Sequence, residues 1–101
     1  MAAQENVPRR EQNAIVVDRK DNVAVALEEL TPGMTGVCGM PGGGSCAVPI
    51  AEKVPRYHKF ALRAITRGEP VVKYGEHIAL AAGDIPPGAH VHIHNVEKLK
   101  R

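Results

Sequence analysis

The sequence predicts a small, mostly-β domain in which short strands alternate with tight turns, and three observations support this. Eight prolines and ten glycines are spread along the 101 residues, where they interrupt any long helix. No stretch keeps a 3.6-residue apolar period with helix caps at both ends. An aliphatic residue followed three positions later by glycine recurs along the chain, which is typical of a repeated turn.

The elements follow in order from the N-terminus. Residues 1–13 are polar and predict a disordered leader, so the folded domain is expected over residues 14–101. Apolar residues begin at Ala14, and a turn at 18–22 leads into a second strand-like run at 23–27. Further along, Phe60 is expected to point inward, and a strand at 71–73 ends in a turn at Gly75.

The repeated turn has four copies, which begin at Leu30, Val54, Ile65 and Ile85. We expect each aliphatic side chain to anchor in the core and the glycine three positions later to adopt a positive φ. The copy at Val54 departs from the pattern, since Tyr57 stands where the other copies have glycine. So many turns predict a convoluted β-module, and their irregular spacing excludes a solenoid.

Composition and charge exclude several classes of function. Thirteen basic and eleven acidic residues leave a net charge of +2, which is too small and too dispersed for a nucleic-acid interface. Two tyrosines, one phenylalanine and no tryptophan disfavour base stacking and membrane-interface belts. No apolar run is long enough to span a membrane, and no apolar region typical of a secretory signal follows the first charges, so we expect a cytoplasmic protein.

A glycine-rich segment at 36–46 holds both cysteines, Cys38 and Cys46. Their spacing fits neither a zinc knuckle nor a thioredoxin-like pair, so we expect two reduced thiols in or beside a flexible loop, with a labile disulfide as the alternative. Ser45 stands where a phosphate-binding loop needs lysine. As the only serine, and without an oriented base, it is also a weak nucleophile, which disfavours a hydrolase.

Three of the five histidines alternate at His90, His92 and His94. On a continuous strand they share one face, while Val91 and Ile93 face the core. His90 and His94 would then lie about 13 Å apart, at about 3.3 Å per residue, so the three imidazoles could not share one ion. This pattern indicates either a metal or substrate contact or simply a polar outer face.

A metal site on such a strand needs one neighbouring histidine pair and further ligands from another loop or another chain. The candidates within this chain are Glu76, His77 and Asp84. Lys59 and Lys73 are suited to pair with a carboxylate substrate, although a solvated lysine is the alternative at each position.

Four motifs, taken in order, carry a family resemblance. They are HKFAL from His58, VVKYG from Val71, IPPG from Ile85 and HVHIHN from His90. Together they resemble the altronate/galactarate dehydratase family, specifically its N-terminal SAF domain, a β-clip module similar to the antifreeze-like domain of sialic acid synthases. The resemblance covers about Asp21 to Glu97 and implies a β-clip fold, which accounts for the repeated turns.

The resemblance implies the small accessory subunit of a metal-dependent sugar-acid dehydratase, which needs a separate large catalytic subunit. Enzymes of this family remove a proton next to a carboxylate and expel hydroxide from the β carbon, giving a 2-keto-3-deoxy acid. The metal is typically iron or manganese, and we expect the large subunit to hold most of its ligands. The implied partners are that subunit and a sugar acid, and exposed strand edges also favour a homo-oligomer.

Carried over by position, the motifs imply substrate- or interface-facing roles for six residues and metal contact for two, and no residue is assigned as the catalytic base. The six are His58, Lys59, Lys73, Tyr74, His90 and Asn95, and the metal candidates are His92 and His94. Tyr57 and Ala79 replace glycines that the family usually has. Two alternatives stay open: the small subunit of a sulfolactate sulfo-lyase, which releases sulfite, and a non-catalytic SAF binding or assembly module.

Overall fold

A computed structural model describes residues 12–99, which form nine short strands. In chain order these are β1 Ala14–Ile15, β2 Val23–Ala26, β3 Thr35–Gly39, β4 Ser45–Pro49, β5 Lys59–Ala61, β6 Pro70–Lys73, β7 Glu76–Ala81, β8 His90–Val91 and β9 Val96–Glu97. No helix occurs in this part of the chain, so the mostly-β prediction is confirmed and no helix there could cross a membrane. Only residues 12 and 13 of the expected leader lie within the described range.

The strands form two sheets. The larger has the order β4-β3-β1-β2-β5-β8, and its pairs are antiparallel except for β1 with β3. The smaller has the antiparallel order β9-β7-β6. Between β6 and β7 the chain turns at Tyr74 and Gly75, whose φ angles of 59° and 74° are the two positive values of a type I′ hairpin turn. The predicted turn at Gly75 is therefore confirmed.

Two hydrophobic cores lie on opposite faces of β2 and β5. Successive side chains of a strand point to opposite faces, so each of these strands contributes to both cores. From β2, Ala24 packs in the first core and Val23 in the second. From β5, Phe60 packs in the first core, as predicted, and Ala61 in the second.

The predicted turn is confirmed at all four copies. The anchors Leu30, Val54, Ile65 and Ile85 are at most 2% exposed. The residues three positions later have positive φ: Gly33 98°, Tyr57 69°, Gly68 86° and Gly88 81°. Tyr57 thus adopts the glycine conformation without being glycine, which is strained for a residue with a side chain.

The four turns associate in two pairs, one in each core. Leu30 and Val54 exchange two backbone hydrogen bonds of 2.9 and 2.8 Å across an isolated bridge. Ile65 and Ile85 do the same, with both bonds at 2.8 Å. A strand begins five residues after each anchor, so the paired turns set where β3, β5, β6 and β8 start.

Three asparagines repeat one hydrogen-bonding arrangement. In each, the side-chain NH₂ donates to the carbonyl of the fifth residue after an anchor, and the side-chain oxygen accepts from the N–H of the seventh. The bonds are Asn13 to Thr35 (3.1 Å) and Val37 (2.8 Å), Asn22 to Pro70 (2.9 Å) and Val72 (2.8 Å), and Asn95 to His90 (2.7 Å) and His92 (2.9 Å). These amides therefore act as clamps on β3, β6 and the segment that begins at β8.

The two cysteines, expected in or beside a loop, lie beside it, because both are on strands of the β3–β4 hairpin that flank its turn. Cys38 and Cys46 are direct cross-strand neighbours, and both thiols are free. Gly42, Gly43 and Gly44 occupy the connecting turn, which a hydrogen bond of 3.1 Å from Met40 N to Gly44 O closes. Cys38 is fully buried in the first core, and this burial favours the strand over a loop.

Candidate functional site

A cluster of imidazoles forms where β5 begins and β8 ends. The antiparallel register pairs Phe60 with His90 and Lys59 with Val91, and continuing it by one more residue places His58 opposite His92. The ring centroid of His58 lies 4.3 Å from that of His92 and 5.0 Å from that of His90. A hydrogen bond of 2.8 Å joins His58 Nδ1 to His90 Nε2. His58, which directly precedes β5, thus adds a fourth imidazole to the three of the 90–94 segment.

The expectation of one continuous strand from His90 to His94 is wrong. Strand β8 ends at Val91, and the chain turns where Asn95 N donates to His92 O at 3.0 Å. The turn forms because the Asn95 side chain takes the backbone groups of His90 and His92 that a neighbouring strand would otherwise bind. The ring centroid of His94 consequently returns to 5.2 Å from that of His90, and Ile93 is 81% exposed instead of facing the core.

Two overlapping sets of side chains in the described chain bring three metal-ligating atoms within 4.8 Å of one another. One set is His58, His90 and His92, and the other is Glu52, His90 and His94. Neither contains Glu76, His77 or Asp84, which the sequence had suggested as additional ligands.

Glu52 is the member of the cluster that sequence reasoning missed. It is brought to the histidines by a hydrogen bond of 2.9 Å from Ala51 N to Gly88 O, across two turns that lie far apart in the chain. The turn that contains Gly88 can be recognised in the sequence from the IPPG motif, whereas the segment that contains Ala51 has no recognisable turn motif. No local pattern around Glu52 therefore indicates its position.

Burial and neighbouring charges favour the neutral forms of His90 and His92. The pKa of His90 is lowered, chiefly by burial and then by His58, while Glu52 opposes the shift. The pKa of His92 is also lowered, by loss of solvation first and then by His58 and Lys59. Both shifts favour the neutral imidazole, which is the form that binds metal ions or accepts a proton.

Lys59 lines a small cavity beside the cluster. The cavity has a volume of about 220 Å³, and its lining is mainly apolar, including Val71, Ala79 and Val91 together with His92. Burial and then the nearby Lys73 lower the pKa of the Lys59 ammonium group. A cation in a mainly apolar cavity is suited to pair with an anionic group of a small ligand.

Lys73 and Tyr74 lie at the tip of the β6–β7 hairpin. The Lys73 ammonium is 4.7 Å from the centroid of the Tyr74 ring, which is 61% exposed. Buried Asp21 holds this tip, because its two carboxylate oxygens accept from Tyr74 N at 3.1 Å and from Gly75 N at 2.8 Å. The structure thus fixes the backbone of this hairpin and leaves both side chains exposed or half-buried.

Comparison with known proteins agrees with the family that the four motifs indicated. The model of the altronate/galactarate dehydratase SAF domain family matches residues 12–99. The chain belongs to this family. The β-clip with four anchored turns is accordingly an SAF domain, and the resemblance carried by the four motifs is confirmed.

Two altronate dehydratases are similar to the SAF domain described above. The protein from Escherichia coli is 44% identical over 81 residues, which are 80% of this chain and 15% of the relative. The protein from Bacillus subtilis is 32% identical over 84 residues, which are 82% of this chain and 16% of the relative. The chain therefore spans only about one sixth of the length of these relatives.

Two sulfolactate sulfo-lyase subunits are also similar to this SAF domain. The (2R)-sulfolactate sulfo-lyase subunit alpha of Chromohalobacter salexigens is 33% identical over 89 residues, which are 86% of this chain and 94% of the relative. The subunit of the same name from Paracoccus pantotrophus is 48% identical over 48 residues, which are 48% of this chain and 70% of the relative. The chain thus matches one of these subunits over nearly its whole length.

Proposed function

We propose that this chain is the small SAF subunit of a cytoplasmic, metal-dependent sugar-acid dehydratase and acts with a separate large catalytic chain. The observation that carries the proposal is the family match over residues 12–99, supported by 44% identity to an altronate dehydratase. The separate-chain arrangement is supported by the relative named subunit alpha, which this chain covers over 94% of its length.

The proposed reaction is the elimination of water from a sugar acid. A base removes the proton next to the carboxylate, hydroxide leaves the β carbon, and the resulting enol tautomerises to a 2-keto-3-deoxy acid. Lys59 Nζ, at the edge of the cluster, pairs with the substrate carboxylate, and the apolar cavity walls around it strengthen that pairing by excluding water. The neutral imidazoles of His90 and His92 face the reacting centre as proton acceptors or ligands.

The donor set of the cluster fits a divalent metal ion. Imidazole nitrogens and a carboxylate are ligands that iron accepts, and manganese accepts the carboxylate more readily than the imidazoles. When bound, such an ion stabilises the negative charge that develops on the substrate during proton removal. The large chain is expected to complete the coordination, since three protein ligands leave positions open.

A second candidate is the small subunit of a sulfolactate sulfo-lyase, in which sulfite leaves instead of hydroxide. The specific observation in its favour is the coverage of 94% of the Chromohalobacter salexigens subunit. The two candidates share the proton-removal step and differ only in the leaving group, so the same histidine cluster serves either reaction.

Co-purification with the large chain, followed by an activity assay, tests the proposal. The tagged chain is purified from its native host, and the eluate is assayed with Fe²⁺ or Mn²⁺ against altronate, galactarate and 3-sulfolactate. Formation of a keto acid from a sugar acid, together with a co-purifying large chain, is the expected result. Release of sulfite selects the sulfo-lyase, and a partnerless, inactive chain would point to a non-catalytic binding module.

Replacement of His92 and His94 by alanine makes the test specific to the cluster. Both side chains are half-buried or exposed, so the double variant should fold normally yet abolish the activity of the assembled enzyme. His77→Ala is the matched control, because His77 is an exposed histidine on β7 that belongs to neither ligand set. Normal turnover by the double variant would mean that the histidine segment has only a structural role.

A further inference from the structure

We propose that this chain alone binds one divalent metal ion through His58, His90 and His92, before the large chain adds any ligand. Its role in catalysis rests on the proposed function, but the binding itself does not. The metal-ligating atoms of these three half-buried side chains lie within 4.8 Å of one another. Catalytic metal sites typically have three protein ligands and keep a further coordination position open, and these three nitrogens match that number.

The backbone places these ligands before any metal arrives. His58 N donates to Pro55 O at 3.0 Å, and His58 O accepts from Ala26 N at 2.9 Å, so both backbone groups are engaged. His90 lies in β8, paired with Phe60 of β5. Since this backbone is already ordered, metal binding reorients only the side chains, replaces the hydrogen bond between His58 and His90, and loses little backbone entropy.

Asn95 is the positioning residue of the site. Its amide binds His90 O at 2.7 Å and His92 N at 2.9 Å, and so fixes the two backbone segments that carry two of the ligands. The same clamp is made elsewhere by Asn22 on β6, away from any ligand set. The chain therefore contains its own control for separating a structural effect from an effect on the metal.

The donor types determine which ions the site accepts. Imidazole favours Fe²⁺, Co²⁺, Ni²⁺, Cu²⁺ and Zn²⁺, whereas Mg²⁺ and Ca²⁺ require oxygen ligands. Glu52 and His94 share His90 with this set and supply one further carboxylate oxygen and one further nitrogen. A nitrogen-rich site of this kind prefers iron to manganese, which narrows the choice of metal for the proposed reaction.

Titration of the full-length chain with Co²⁺ after chelator treatment tests the inference. We expect the visible absorption of protein-bound Co²⁺, saturating at one ion per chain, and no competition by Mg²⁺. The variants His58→Ala, His90→Ala and His92→Ala should each weaken Co²⁺ binding by about 100-fold or more, and His77→Ala should not change it. Absence of the absorption, or unchanged affinity in all three variants, would overturn the inference.

The asparagine pair provides the sharper comparison. Asn95→Ala should weaken Co²⁺ binding by about tenfold, while Asn22→Ala should leave it unchanged despite losing at least as much stability. Equal losses of Co²⁺ affinity in both variants would show a merely structural effect and contradict the positioning role. A chain that binds no Co²⁺ but restores activity overturns this inference alone, and one that binds Co²⁺ but restores no activity overturns the proposed function alone.

Discussion

At the scale of single residues, one asparagine side chain replaces a neighbouring strand. Its amide carries a donor and an acceptor, which match the carbonyl and N–H that a strand exposes at alternate residues. Asn13, Asn22 and Asn95 all use this match. At Asn95 the clamp also shapes the histidine cluster, because it ends β8 early and turns His94 back towards His90.

Cys38 makes stability depend on alkaline pH. Burial, and then Cys46, raises the pKa of its thiol from 9.0 to about 12. The unfolded thiol loses its proton above about pH 9 while the folded one keeps it, so the free energy of unfolding falls as pH rises from about 9 to 12. This thiol contributes at most about 1.4 kcal/mol per pH unit over that range.

Urea unfolding at several pH values checks this prediction, with Cys38→Ala as the control for the lysines and tyrosines that titrate in the same range. The variant loses packing at every pH but has no thiol to deprotonate. The stability difference between the two proteins should therefore shrink steadily above about pH 9. Curves that stay parallel to pH 12 would mean that Cys38 ionises normally in the folded chain.

At the scale of elements, substitutions three residues after the anchor of a turn can separate conformational strain from steric overlap. A β-carbon added at Gly88 would lie 2.0 Å from Pro49 O, whereas one added at Gly68 would have no neighbour within 4 Å. Both residues have positive φ. Gly68→Ala should thus lower the free energy of unfolding by about 1 kcal/mol, and Gly88→Ala by about 3 kcal/mol or more.

Thermal and urea unfolding of the two variants measure this difference directly. Because φ is nearly the same at both positions, strain cancels in the comparison and the overlap with Pro49 remains. Equal losses in the two variants would mean that the Gly88 turn relaxes away from β4, and that its close approach is not fixed.

The elements that could be predicted from the sequence are those governed by local chemistry. A buried aliphatic residue with glycine three positions later specifies its own turn at three copies, and the copy at Val54 forms the same turn with Tyr57 in place of glycine. The prediction of a continuous histidine strand is wrong because the side chain of Asn95, three residues beyond His92, accepts a hydrogen bond from His92 N and the chain turns there. Glu52 and the pairing of His58 with His92 depend on register between distant segments, which alternation along one segment cannot show.

At the scale of the whole molecule, the two cores are joined through β2 and β5. Val23 and Ala24, adjacent in the chain, lie in different cores, and so do Phe60 and Ala61. A change that disrupts packing in one core therefore also displaces β2 or β5, whose side chains pack in the other core. We expect the described domain to unfold in a single cooperative step, as small domains usually do.

Asn22 links the smaller sheet to this shared strand pair, and its removal should weaken the whole molecule. It is 2% exposed, and besides its two side-chain bonds to β6 its backbone N donates to Val72 O and its carbonyl accepts from Leu62 N. Asn22→Ala leaves Val72 N and Pro70 O without these partners, so it should lower the free energy of unfolding by roughly 2–3 kcal/mol.

Asn13→Ala is the matched control, since it removes the equivalent bonds to Thr35 and Val37 at a half-buried position where water replaces them. It should cost about 1 kcal/mol. Urea unfolding gives both values, and hydrogen exchange of the slowest amides in both sheets should accelerate more in Asn22→Ala than in Asn13→Ala, as single-step unfolding requires. If only the β6 and β7 amides accelerated in Asn22→Ala, the smaller sheet would open separately and the single-step expectation would be wrong. If neither sheet responded, Asn22 would contribute little to joining the smaller sheet to β2, and the β2–β5 pair alone would hold the two cores together.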